Sequence, residues 1–147
     1  MTLFECVDVE IAAKITHLNG KTNSKVITKE EKSTYKAKYC STARTTVRMW
    51  WLCKFVCHFL DLLINSPEKE LVPCVQEAYK DQFEPHHVWI VQKLAKQAMK
   101  WAGTRQQLKD SWGIKSFDEM KVTQEAMIVM RDALKKQLSD RECLELP

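Results

Sequence analysis

Residues 42–65 read Thr-Ala-Arg-Thr-Thr-Val-Arg-Met-Trp-Trp-Leu-Cys-Lys-Phe-Val-Cys-His-Phe-Leu-Asp-Leu-Leu-Ile-Asn, and Ser66-Pro67 follows. Beyond the first two turns Val47, Leu52, Phe55, Val56, Phe59, Leu60, Leu62 and Leu63 leave almost no polar face. A helix apolar nearly all round lies in the middle of a fold, so this segment sets the architecture. Ser41 or Thr42 is its expected N-cap, and Ser66-Pro67 ends it. Lys54, His58 and Asp61 interrupt the run. It therefore falls short of the roughly 18 to 20 uninterrupted apolar residues of a membrane span and reads as a core helix.

Working outward, Val7, Ile11, Ile15 and Leu18 recur at helical spacing over residues 3–19, with Asn19-Gly20 as a stop. On the other side the pattern predicts helices over residues 68–83, broken by Pro85, and over 87–101, closed by Gly103. In the second of these, His87, Ile90, Val91, Leu94, Ala98 and Trp101 are expected to face inward and Lys93, Lys96 and Lys100 outward. A short segment over 106–112 precedes a last amphipathic helix over about 117–138. Three Gly and four Pro in 147 residues disfavour a many-turned β fold. The expected class is all-α, as one domain over residues 1–147.

The net charge of +4 is unevenly spread, because residues 21–48 hold six Lys and two Arg against two Glu. The six Lys fall in residues 21–39, whose composition reads as a basic loop. Residues 1–13 carry Glu5, Asp8 and Glu10 without a basic leader or cleavage site, which predicts a cytosolic protein. Six cysteines include no Cys-x-x-Cys pair. Cys53 and Cys57, four apart with His58 adjacent, could form a metal site, but free Cys packs as a small hydrophobe and core packing is the expectation. No metal or cofactor is expected.

Two pairs of polar residues stand out. Glu10 and Lys14 are four apart on one helix face, which by itself reads as a surface ion pair. Arg44 and Arg48 are also four apart, at the start of the most apolar helix, with Leu52, Phe55 and Phe59 further along. Cations at a helix N-terminus oppose the macrodipole, so an anionic partner would offset the cost. Guanidinium forks bind phosphate oxygens in bidentate geometry, and hydrocarbon chains suit the Leu and Phe side. No nucleophile with its base, no glycine-rich phosphate loop and no carboxylate pair announces an enzyme. The basic stretch with Tyr35, Tyr39, Trp50 and Trp51 leaves nucleic-acid binding as a remote alternative, without a recognisable module.

Three stretches together resemble the glycolipid transfer protein family. Val9-Glu10-Ile11-Ala12-Ala13-Lys14-Ile15-Thr16-His17-Leu18 is similar to its acidic motif. Arg44 to Val56 is similar to its headgroup helix. Ala78-Tyr79, then Phe83-Glu84-Pro85-His86-His87-Val88-Trp89-Ile90-Val91-Gln92-Lys93, is the most specific match. The resemblance implies an all-helical two-layer sandwich that carries one sphingolipid between membranes, as a monomer that touches membrane surfaces transiently and does not act on nucleic acid. Glu10 falls on the family's Asp that accepts hydrogen bonds from the ceramide amide and headgroup, keeping the carboxylate and adding a methylene. His87 falls on the His that contacts the ceramide amide carbonyl, and Trp89 on an aromatic near the membrane-facing surface. Phe55, Val56, Phe59 and Leu52 would line the chain pocket.

Headgroup class rests on two positions. Lys14 and Arg48, with Arg44 one turn earlier, match the branch of the family that carries ceramide-1-phosphate. Three cations suit a phosphate monoester. A register shifted by three residues would put Trp51 on the sugar-stacking position of the glycolipid branch, but it sends His58 to an apolar core position. A neutral glycosphingolipid, or a lipid sensor that does not transfer, are the alternatives within the family. Members are usually longer, so the resemblance also implies a domain shortened at its amino end.

Overall fold

The computed structural model describes residues 2–12 and 42–145. Among these every regular element is helical: α1 (Leu3–Ala12), α2 (Thr42–Asn65), α3 (Leu71–Gln82), a 3₁₀ turn (Glu84–His86), α4 (Trp89–Met99), α5 (Arg105–Trp112), a second 3₁₀ turn (Phe117–Met120) and α6 (Lys121–Ser139). None of the described helices is long and apolar enough to cross a membrane. Two compact units are formed, Met1–Met49 with Leu134–Pro147, and Trp50–Ala133. The expected helical residues 13–19, the basic loop 21–39, Cys40 and the candidate cap Ser41 lie outside the described residues.

In the first unit, α1 opens on a reciprocal cap: Thr2 N–H donates to Glu5 Oε2 at 2.5 Å and Glu5 N–H to Thr2 Oγ1 at 3.2 Å. Val7 is fully buried, as are Ala43, Thr46 and Leu138, with Val47 and Cys143 nearly so. Thr46 is satisfied locally, its hydroxyl donating to Thr42 O at 2.7 Å. After α6, Glu142 adopts φ 54°, and Cys143 N–H returns to Leu138 O at 2.9 Å. That left-handed residue turns the chain back so that Cys143 is buried beneath the helix end.

In the second unit, Leu60, Leu62 and Leu63 of α2 form one cluster with Leu71, Cys74 and Ala78 of α3 and with Phe117. Phe55, Val56, Phe59, Val75 and Leu108 pack against it. The end of α2 is tied by Arg105, whose guanidinium donates to the carbonyls of Leu63, Ser66 and Lys69 and lies over the Phe117 ring. The Leu63 and Lys69 carbonyls lack a helical backbone partner, because the residues four positions on, Pro67 and Pro73, have no N–H. Thr104 caps α5 in a capping box with Gln107, and Gly113 ends it at φ 68°, where only glycine is free of strain.

Four expectations are corrected. The α3 helix begins at Leu71, because the Pro67 turn consumes residues 66–69; Pro73 then sits in the first turn, where its missing N–H costs nothing. The next helix begins at Trp89, since His87 and Val88 are extended, and α6 is preceded by a 3₁₀ turn. Most consequentially, the apolar stripe of α4 faces outward: Ile90, Val91, Leu94 and Trp101 are exposed, Trp101 at 88%, and Met99 is the helix's one buried residue. Periodicity shows that a stripe exists; it does not show what lies against it. Among the described cysteines, Cys53, Cys57, Cys74 and Cys143 are buried and Cys6 is half-buried. Burial pushes the Cys53, Cys57 and Cys74 thiols up from their ordinary range.

Candidate functional site

Arg44 and Arg48 stand one turn apart at the start of α2, a helix with no acidic residue in its first turn. Arg44 is half-buried and Arg48 exposed. Between them Thr46 and Val47 are buried, so the same two turns that anchor the helix in the first unit carry the guanidinium groups outside its packed face. Glu10 is a residue of α1 in this unit, and Lys14 lies outside the described residues.

In the second unit the candidate His87 is held from two directions. Its Nδ1 lies 2.9 Å from the Tyr79 hydroxyl. Its ring stacks on Phe83 at 5.5 Å and 11°. Phe83 in turn meets Phe55 at 5.3 Å, and Phe55 stacks on Phe59 at 6.0 Å. An aromatic run thus connects His87 to two of the residues expected to line a chain pocket. Phe55, Val56 and Phe59 are half-buried, whereas Leu52 is exposed.

Tyr79 is buried, and that burial, with Glu84 nearby, pushes its phenol above the ordinary range against a smaller opposing effect of Lys96. In the tautomer in which the phenol donates to Nδ1, Nε2 of His87 carries the ring proton. The site then offers an N–H donor in a fixed direction. The backbone before α4 is held by Gln92, whose Nε2 donates to Glu84 O at 2.9 Å and to His87 O at 2.8 Å. Lys96 adds an ion pair to Glu84 at 2.5 Å.

Sequence reasoning missed the role of His86. Its ring lies on Trp51 at 3.8 Å and 6° between planes, and Trp51 is only 8% exposed. The adjacent histidines therefore serve different elements, His86 covering an α2 indole and His87 bonding an α3 phenol. Adjacency in sequence gives no sign of that division. Trp89, at the start of α4, is 64% exposed, with Lys93 Nζ 4.7 Å from its ring centre. Among the described residues no group of His, Cys, Asp and Glu is arranged to hold a metal ion.

The human ceramide-1-phosphate transfer protein in complex with 12:0 ceramide-1-phosphate has a similar fold, with a TM-score of 0.75 at 16% identity. The similarity covers 99% of this chain and 66% of that one. The mouse ceramide-1-phosphate transfer protein in its apo form is similar at a TM-score of 0.66 and 22% identity, over 73% of this chain and 54% of that one. The chain thus spans between about half and two thirds of the length of these proteins. No curated protein matches it. Residues 2–113 match the sequence model of the glycolipid transfer protein family, and that match takes in α1, the two arginines of α2, and the Tyr79, His87 and Trp89 segment. With a match over most of its length and an all-helical fold shared with solved members of that type, the chain belongs to the glycolipid transfer protein family.

Proposed function

We propose that this protein binds one ceramide-1-phosphate-like sphingolipid and carries it between membranes without covalent chemistry. The observation that carries this reading is the Arg44 and Arg48 pair, one helical turn apart at the start of an α2 helix whose next turns are apolar. Arg44 and Arg48, with Lys14, take the phosphate; Glu10 accepts the amide and hydroxyl hydrogens; His87 donates from Nε2 to the amide carbonyl. Phe55, Val56, Phe59 and Leu52 receive the hydrocarbon chains, whose burial favours uptake by about 0.8 kcal/mol per CH₂. The covering of Trp51 by His86 supports the phosphate register over the one that would use Trp51 as a sugar platform.

In this reading the protein acts as a cytosolic monomer that meets membranes transiently. Trp89 supplies an amphipathic ring at the membrane interface. The six Lys of residues 21–39 add attraction to anionic surfaces.

A fluorescent vesicle-to-vesicle assay comparing ceramide-1-phosphate with a neutral glycosphingolipid tests the reading. Faster movement of the phosphate lipid, abolished by Arg48→Leu, is expected. Preference for the glycolipid, undiminished by that substitution, overturns the headgroup assignment. Binding without movement between vesicles converts the protein into a lipid sensor.

A further inference from the structure

A concave site in the second unit is lined by none of the residues assigned to the lipid site above. It is a cleft of about 520 Å³ where the turn after α2 meets the start of α5 and the segment before α6, lined among others by Glu70, Thr104, Arg105, Lys109, Lys115 and Ser116. Its volume lies within the range of small-molecule sites, roughly 300–1,000 Å³.

The cleft's charge is unbalanced. Lys69, Lys96, Lys121 and Arg131 in the same unit each have a carboxylate at 2.5 or 2.8 Å. By contrast, Lys109 and Lys115 form no ion pair among the described residues. Arg105 is half-buried and gives its N–H groups to carbonyls and to the Cys74 sulfur, so no carboxylate balances its charge either. Three cations thus line the cleft with one acidic residue, Glu70, while the Glu119 and Asp118 carboxylates beside Ser116 are taken up by the N–H groups of Lys115 and Ser116, the Ser116 hydroxyl and Lys121. A partly buried, unbalanced guanidinium is unfavourable alone, and an anion placed beside it offsets that cost. Thr104 Oγ1 accepts from Gln107 N–H at 3.2 Å and retains its own hydroxyl hydrogen as a donor for a ligand oxygen.

We infer that this cleft binds a phosphate-bearing small molecule, with Lys109 and Lys115 contacting phosphate oxygens, the Thr104 hydroxyl donating to the same group, and Arg105 providing a fixed positive field behind them. The volume admits a phosphate with an organic portion. Glu70 opposes the anion and sets the end of the cleft that the phosphate avoids.

Calorimetry on the full chain with glycerol 3-phosphate and with pyrophosphate forms one arm of the test. Flotation with phosphatidylcholine vesicles, with or without phosphatidylinositol phosphate, forms the other. Saturable binding of the free probes identifies a soluble phosphorylated compound, and binding to the phosphorylated vesicles alone identifies a lipid headgroup; both support the inference. Lys109→Ala with Lys115→Ala should weaken either by about tenfold or more, and Glu70→Gln should strengthen it. Lys100→Ala, a loss of charge outside the cleft, should leave it unchanged. Circular dichroism confirms that each variant is folded. No saturable binding in either arm, or equal weakening by Lys100→Ala, overturns the inference.

Discussion

The hydroxyl of Tyr79 and Nδ1 of His87 lie 2.9 Å apart, joining the buried face of α3 to the extended residue that precedes α4. This contact fixes both the position of the imidazole and, with the phenol donating, which nitrogen presents a hydrogen.

Tyr79→Phe keeps the ring stacking and removes only that hydroxyl. It should cost about 1 kcal/mol of stability, measured by urea unfolding. It should also lower ceramide-1-phosphate binding, because Nδ1 is then free to take the proton that Nε2 needs. Binding equal to the wild type would remove the His87 donor from the proposal.

Arg105 is the hub of the α2 end. Arg105→Ala strands the Leu63 and Lys69 carbonyls and removes the cation over Phe117, at a cost of about 2–4 kcal/mol. Arg105→Lys should recover only part of this, since one ammonium cannot reproduce the planar fork. Urea midpoints of the two variants separate the outcomes.

Asp8 and Arg141 join α1 to the turn after α6, with Arg141 Nε donating to Asp8 Oδ1 at 2.6 Å and its Nη2 to Oδ2 at 3.1 Å. The hydrogen bond from Arg141 is the largest influence holding the Asp8 carboxyl below its ordinary value, against a smaller desolvation effect. A lowered folded-state value gives stabilisation that is present above the unfolded Asp value, near pH 4, and is lost as pH falls through the folded one. Asp8→Asn should therefore flatten the acid side of the melting-temperature profile and leave its slope near neutrality unchanged. A steep acid limb that survives the substitution would assign that slope to another carboxylate.

The exposed stripe of α4 allows stability and membrane contact to be separated. Leu94 is 65% exposed, so Leu94→Ser should change unfolding by no more than about 0.5 kcal/mol. Trp89→Ala should be similarly mild for folding while reducing co-sedimentation with vesicles. Undiminished co-sedimentation of the Trp89 variant would remove that residue from the membrane interface.

Much of the fold was legible where local rules decide it. The 24-residue α2 helix follows from an apolar run closed by Ser66-Pro67, and its predicted limits coincide with the observed ones. The short segment expected over residues 106–112 is α5, and the structure adds its caps, Thr104 with Gln107 at the start and Gly113 at the end. Errors at α3 and α4 arose where Pro67 and Pro85 each spent residues on turns before the next helix could begin. Of the candidate site, the Arg44 and Arg48 spacing was visible as pattern, and His87 was named only through the family resemblance; Lys14 lies outside the described residues.

The sequence by itself determined the helical class, the central helix and the family, since periodicity, capping and motif spacing are properties of neighbouring residues. Tertiary structure alone decided that His86 covers Trp51 while His87 bonds Tyr79, that Arg105 closes the end of α2 from 42 residues away, and that the apolar face of α4 is exposed. Each of these depends on which surfaces meet across long stretches of chain. A side chain's type states what it can bond or bury, and only packing selects the partner.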